Sequence, residues 1–116
     1  DFATWDRCNP RCNVFRYRIS TRRTIRVPNP LRRYQYAPSV DSAGNVFYNR
    51  GGHRCGRAVH VMELPAGGSP RSLLALHVTT DAGFSYAVGA GSNEKLLFSK
   101  FHCTSATWDV FRIAVP

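Results

Sequence analysis

Residues 14–20 read VFRYRIS, residues 59–65 read VHVMELP and residues 110–116 read VFRIAVP. In all three stretches the second, fourth and sixth positions are apolar, with His60 as the exception. Such alternation is typical of a β-strand with one buried face. The pairs Phe2-Ala3, Phe47-Tyr48 and Leu97-Phe98 lie upstream of the three stretches at closely similar distances, and a cysteine falls within each interval. The three stretches therefore predict an internal repeat, spaced 45 residues from Val14 to Val59 and 51 residues from Val59 to Val110.

The rest of the chain predicts antiparallel β-structure, because short β-rich runs alternate with turn residues and no window has a helical period. Turn signals occur at PNP (28–30), DSAGN (41–45), RGGHRCG (50–56), PAGGSP (65–70) and GAGSN (89–93). The clearest predicted strands are 13–20, 24–27, 45–50, 58–64, 72–78, 83–88, 95–101 and 109–115. We therefore expect a single all-β domain over residues 1–116, built of antiparallel four-stranded repeats, with a β-sandwich or barrel as the alternative.

The phrase APSVDSAGNVFY (37–48), a D-x-x-G turn leading into an aromatic strand, resembles the repeat of TolB-like bacterial β-propellers. The resemblance implies an inner strand before the turn and three strands further out in each unit. It gives ten strands in the order b-c-d-a-b-c-d-a-b-c, which is two and a half blades. Since a closed ring needs at least four blades, we expect the chain to belong to a larger propeller or to assemble with other subunits.

Charge is distributed unevenly, because nine of the fourteen arginines fall between Arg7 and Arg33 and no acidic residue occurs from Arg7 to Val40. With a net charge of +9, this segment is expected to attract polyanions such as nucleic acid or acidic glycans. A solvated basic face explains the count equally well. Phe15 and Tyr17 alternate with arginines in this segment, and we favour a core-facing aromatic row with a solvated back. The candidate binding residues are Arg16, Arg18, Arg22, Arg23, Arg26, Arg32, Arg33, Tyr34 and Tyr36.

Four cysteines, Cys8, Cys12, Cys55 and Cys103, allow three disulfide pairings. A local Cys8–Cys12 bridge would leave Cys55 with Cys103, and such bonds suit a secreted or extracytoplasmic protein. A zinc site made from His53, Cys55, His102 and Cys103 is less favoured, because their spacing does not match the usual ligand patterns. No metal and no cofactor is expected.

His60, Glu63 and His77 supply the residue types of a small ribonuclease, namely a general base and a general acid. His60 and Glu63 are separated by an odd number of residues along one strand, so their side chains should point to opposite faces. No apolar run is long enough to span a membrane. The N-terminal residues lack signal-peptide features, so an exported chain would already have lost its targeting segment. The prediction is a non-enzymatic, exported β-repeat module for surface recognition or assembly, with a small basic secreted ribonuclease or toxin as the alternative.

Overall fold

The computed structural model describes residues 1–52, 55–76, 81–88 and 95–114. This part of the chain contains ten β-strands and no helix, which confirms the predicted all-β class. Every strand pair is antiparallel. The strands are β1 (Phe2–Cys8), β2 (Cys12–Arg18), β3 (Arg23–Arg26), β4 (Gln35–Val40), β5 (Val46–Gly51), β6 (Val59–Leu64), β7 (Arg71–Leu76), β8 (Asp81–Val88), β9 (Lys95–His102) and β10 (Thr107–Ala114).

The strands form three separate sheets, each with its strands in chain order. Sheet 1 contains β1, β2 and β3, sheet 2 contains β4 to β7, and sheet 3 contains β8, β9 and β10. Consecutive strands within a sheet are hydrogen-bonded neighbours, so each sheet is a simple meander of hairpins. None of the described strands closes a sheet into a barrel.

Sheet 1 packs on one face of sheet 2. Val14 of β2 and Val27, just after β3, are fully buried against Val46 and Tyr48 of β5 and Met62 of β6. Ile25 and Val40 complete this cluster at its edge. The first of the two layers of core therefore lies between sheets 1 and 2.

Sheet 3 packs on the other face of sheet 2. Phe47 of β5 and Val61 of β6 are fully buried with Leu96 of β9, and Val59 packs beside Phe98. Because successive side chains of a strand point to opposite faces, β5 sends Val46 and Tyr48 toward sheet 1 and Phe47 toward sheet 3. Sheet 2 is consequently covered on both sides, which explains why β5 and β6 bury side chains at both odd and even positions.

Val14, Val59 and Val110, which the predicted repeat aligns, project from the same side of successive sheets. Val14 is covered by sheet 2 and Val59 by sheet 3, and both are fully buried. In β10, Ile113 faces sheet 2, so Val110, three residues earlier, points away from it. Val110 is 71% exposed because none of the described residues forms a fourth sheet beyond it.

The aromatic row of sheet 1 does not face the core, so the expected core-facing orientation of Phe15 and Tyr17 is wrong. Val14 supplies the core-facing side of β2, which places Phe15 and Tyr17 on the opposite, outer side. Phe15 stacks with Trp5 of β1 at a ring-centroid distance of 5.6 Å. Ile19 lies beyond the end of β2 and is 57% exposed.

The predicted D-x-x-G turn joins β4 to β5. The Gly44 amide donates to the Asp41 carbonyl (3.1 Å), and the Asp41 carboxylate accepts from the amide and side chain of Asn45. Gly44 has a φ of +88°, and a Cβ there would lie 2.6 Å from the Phe2 ring. Only glycine fits this position, where the N-terminal strand packs on the turn of the next sheet.

Candidate functional site

Three loops from two neighbouring sheets meet at one edge of the stack and form a groove of about 590 Å³. The β1–β2 loop supplies Arg11, the β3–β4 loop supplies residues 31–34, and the end of β5 with the segment after it supplies Gly51, Gly52 and Arg57. We call this site the arginine groove. Its lining residues are Arg11, Leu31, Arg32, Arg33, Tyr34, Gly51, Gly52 and Arg57.

Four arginines and no carboxylate line the arginine groove in the part of the chain that the structure describes. Guanidinium groups bind phosphate, sulfate and carboxylate through two parallel hydrogen bonds. Several like charges in one concave surface also raise the local concentration of counter-ions. The groove therefore has the chemistry of an anion-binding surface.

The β3–β4 loop that carries Arg32 and Arg33 is held in place by hydrogen bonds. Asn29 accepts from the Arg33 amide (3.0 Å) and donates to the Arg33 carbonyl (2.7 Å). Arg11 donates to the Arg32 carbonyl at 2.8 Å, which ties the first loop to the second. These contacts position the loop backbone before any ligand binds, so less ordering entropy is lost on binding.

Gly51 and Gly52 form the glycine part of the groove wall, and the Arg57 side chain lies against Gly52, where a Cβ would be 2.1 Å from the Arg57 Cβ. The Gly51 amide donates to the Tyr34 carbonyl (2.9 Å), which fixes the end of β5 against the β3–β4 loop. Gly51 has a φ of +125°, and a Cβ there would meet the Ala58 carbonyl oxygen at 2.0 Å. A side chain at this position would therefore displace Ala58, the residue that follows Arg57.

Tyr34 and Tyr36 have different positions although both are candidate binding residues. Tyr34 lines the groove and is 38% exposed, so its ring can contact a ligand. Tyr36 is buried and donates to the Gly52 carbonyl at 2.9 Å. Burial raises the pKa of Tyr36 to about 12, which keeps the phenol neutral and able to donate. Tyr36 supports the groove from below rather than lining it.

Both disulfides lie in the loops at this edge. Cys8 is bonded to Cys12 across the hairpin loop that contains Arg11. Cys55, two residues before Arg57, is bonded to Cys103 in the β9–β10 connection of sheet 3. Of the three possible pairings, the structure has the one with a local bridge and a long-range bridge. The loops that carry Arg11 and Arg57 are thus each covalently restrained.

The remaining predicted binding arginines lie away from the groove, mostly at the opposite end of sheet 1. Arg16 and Arg18 lie over the Phe2 ring at 5.4 and 5.6 Å from its centroid. Arg16 donates to the Gly44 carbonyl, and Arg18 pairs with the Asp1 carboxylate at 3.1 Å. Arg23 lies beside Arg16 and Arg18, and Arg22 lies in the β2–β3 turn. Arg26 donates a hydrogen bond to the Asn13 side chain on the outer face of sheet 1. Because β2 runs from one end of the sheet to the other, the basic segment is divided between the two ends.

Arg11 and Arg57 line the groove but were not among the predicted binding residues. Arg57 lies outside the basic segment in sequence and reaches the groove only through the pairing of β5 with β6. The predicted repeat offered a signal, because a cysteine occurs between the aligned segments in each of its three units. Arg11 and Arg57 flank these cysteines closely, at one and two residues from Cys12 and Cys55.

The alternative catalytic residues are not brought together by the described structure. His60 contacts the Ser72 hydroxyl through Nδ1 at 3.1 Å, and its pKa is lowered by burial and by the nearby Arg50. Glu63 is buried on the opposite face of β6 and accepts from Arg71 at 2.7 Å. His60 and Glu63 therefore act on different sides of sheet 2, and His77 lies outside the described residues.

The alternative zinc site loses its sulfur ligands to the disulfide between Cys55 and Cys103. His102 is bonded through Nε2 to Asp109 at 2.7 Å, and His53 lies outside the described residues. No cluster of three or more histidine, cysteine or acidic residues within the described ranges is placed to hold a metal ion.

Comparison with protein-family models, with curated proteins and with solved structures finds no match to this chain. Over the described residues there is no helix with the length and apolar character needed to cross a membrane. The arginine groove, by its geometry and charge, is the candidate functional site of the described residues.

Proposed function

We propose that this chain is an exported, non-enzymatic β-repeat module that binds polyanionic chains in the arginine groove. The observation that carries the proposal is the convergence of Arg11, Arg32, Arg33 and Arg57 from three loops into one concave surface. Arg11, the adjacent Arg32 and Arg33, and Arg57 come from three segments that are 21 and 24 residues apart, and Arg57 lies outside the basic segment, so their convergence is a product of the fold.

A polymer suits the groove better than a single small anion does. Four guanidinium groups in about 590 Å³ can each engage a separate anionic group, and a polyanion offers several on one molecule. Leu31 and Tyr34 add apolar and aromatic surface for a sugar ring or a base. Acidic glycans and single-stranded nucleic acid both combine repeated negative charges with rings, and each can be offered to the groove separately.

Export is supported by the cysteines and the β-repeat by the arrangement of the sheets. All four cysteines are in disulfides, a state that persists in oxidising compartments. The three stacked meanders, of three, four and three strands, match the division of blades that the TolB-like resemblance implies. The common orientation of Val14, Val59 and Val110 supports the same interpretation.

The test compares two double variants that remove the same charge. We expect Arg32→Gln/Arg33→Gln to weaken binding of a fluorescent heparin fragment about 30-fold, since two charge-assisted contacts are worth about 2 kcal/mol in an open groove. The slope of the logarithm of the binding constant against the logarithm of the salt concentration should become shallower by about two. Arg22→Gln/Arg23→Gln, away from the groove, should change affinity no more than about threefold through the net charge. Fluorescence anisotropy at several salt concentrations measures both effects.

Equal losses in the two double variants would contradict the proposal, because they would indicate binding by net charge alone. A labelled single-stranded oligonucleotide in the second arm shows which class of polyanion binds more tightly. Cleavage of that oligonucleotide, abolished by His60→Ala or His77→Ala, would instead support the ribonuclease alternative.

A further inference from the structure

The two ends of the sheet stack both present aromatic side chains. On the outer face of sheet 1, Trp5 is 40% exposed and stacks with Phe15. On the outer face of sheet 3, Trp108 is 54% exposed and contacts the Phe101 ring, with a centroid distance of 5.1 Å. Val110 beside Trp108 is 71% exposed. Neighbouring exposed apolar side chains of this kind are typical of interaction surfaces, whereas single exposed ones are not.

Within the chain, the face of a sheet that contains the aligned valine is covered by the following sheet. The face that contains Val14 in sheet 1 is covered by sheet 2, and the matching face of sheet 2, with Val59, is covered by sheet 3. The matching face of sheet 3 contains Val110 and has no cover among the described residues. We call the face of a sheet that packs against the preceding sheet its leading face. By this pattern, the Val110 face fits the leading face of another sheet.

The leading faces of sheets 2 and 3 are each covered by the preceding sheet. Met62 of sheet 2 packs against sheet 1, and Ile113 of sheet 3 packs against sheet 2. The position that corresponds to them in sheet 1 is Tyr17, three residues after Val14, on the outer face beside Phe15. The only leading face that lacks a preceding sheet in the described structure is therefore that of sheet 1.

From this complementarity we infer that two copies of the chain pack head to tail, the outer face of sheet 3 in one copy against the outer face of sheet 1 in the next. The inference rests on the proposed β-repeat but does not involve the arginine groove. Pairing two Val110 faces with each other would create a contact that neither internal interface has. A head-to-tail contact closes into a ring or continues as a filament, and two copies would give six sheets, within the range of known rings.

Charge gives the association a salt dependence opposite to that of polyanion binding. Each copy has a net charge of +9, so copies repel one another at low ionic strength, and salt screens that repulsion. Burial of the aromatic faces is not weakened by salt. Self-association should therefore strengthen with salt, whereas heparin affinity should fall.

The test uses two variants that each block one face. Trp5→Glu disables the outer face of sheet 1, and Val110→Glu disables the outer face of sheet 3. We expect size-exclusion chromatography with light scattering to give at least twice 13.0 kDa for the wild type and the monomer mass for either variant alone. An equimolar mixture of the variants should recover a complex of twice the monomer mass, because each retains the face that the other lacks.

Ala66→Glu is the control, since Ala66 is exposed in the β6–β7 turn of sheet 2 and lies on neither outer face, and its mass should equal that of the wild type. Heparin affinity within threefold of wild type shows that each variant is folded. A wild type that stays monomeric at high concentration and high salt would overturn the inference, as would a mixture that remains monomeric. The variants leave the arginine groove unchanged, so the two proposals can fail separately. Failed assembly with retained heparin binding contradicts only the head-to-tail packing. Lost heparin binding with intact assembly contradicts only the proposed polyanion binding.

Discussion

Replacing Phe47 by alanine is expected to lower the free energy of unfolding by about 3 to 5 kcal/mol. Phe47 is fully buried between sheets 2 and 3, where it packs with Val61 and Leu96. Removing its ring leaves a cavity that the surrounding strands cannot fill, because β5 is paired on both sides. Sheet 3 loses more of its support than sheet 1, since Phe47 faces sheet 3. Urea unfolding followed by tryptophan fluorescence measures the change.

Phe111→Ala is the matched control for Phe47→Ala. Phe111 stacks with Phe98 at 5.5 Å but is 39% exposed, so its truncation should cost only about 1 to 2 kcal/mol. Equal costs for the two substitutions would mean that the layer between sheets 2 and 3 is not a close-packed core.

Replacing Cys55 and Cys103 together by serine is expected to cost about 4 kcal/mol of stability. The bond spans 48 residues, and closing a loop of this length removes about that much chain entropy from the unfolded state. It also links sheet 2 to sheet 3, so its loss should let sheet 3 open locally before the rest unfolds. Hydrogen exchange at the amides of β9 and β10 is expected to increase more than at those of β2 and β5.

Cys8→Ser/Cys12→Ser provides the comparison for the long-range bond. That bridge spans only 4 residues, so its removal should cost about 2 kcal/mol and leave exchange in sheet 3 unchanged. A larger cost for the local bridge than for the long-range bridge would contradict the role assigned to the Cys55–Cys103 bond in holding the stack together.

Most of the strands could be predicted from alternation and turn residues. The predicted strands at 45–50 and 58–64 correspond to β5 and β6 within one or two residues. β1 and β4 did not stand out as apolar runs, because Thr4, Asp6 and Arg7 interrupt β1 and β4 contains Pro38 beside a bulge between Tyr36 and Ser39. Their existence followed only from counting strands in the repeat.

Which face of β2 is buried against a neighbouring sheet could not be predicted from that strand alone. Phe15 and Tyr17 look like core residues because they are aromatic, yet Val14 is the side chain that sheet 2 covers. Periodicity tells which residues share a face but not which face meets a neighbour. That choice depends on sheet 2, which lies later in the chain.

The site was predicted in part. Arg32, Arg33 and Tyr34 line the groove, whereas Arg16 and Arg18 lie at the other end of β2. A run of arginines indicates charge density but not position, since a strand of seven residues carries neighbours in sequence to opposite ends of a sheet. Arg57 joins the site through strand pairing, which composition does not encode.

Arginine footprinting tests most directly whether loops of neighbouring sheets form one polyanion site. The protein is treated with phenylglyoxal with and without a heparin fragment, and modification is quantified by peptide mass spectrometry. We expect Arg11, Arg32, Arg33 and Arg57 to be protected together, while Arg22 and Arg23 react equally in both samples. Protection centred on Arg16, Arg18 and Arg23, or spread evenly over all arginines, would contradict it.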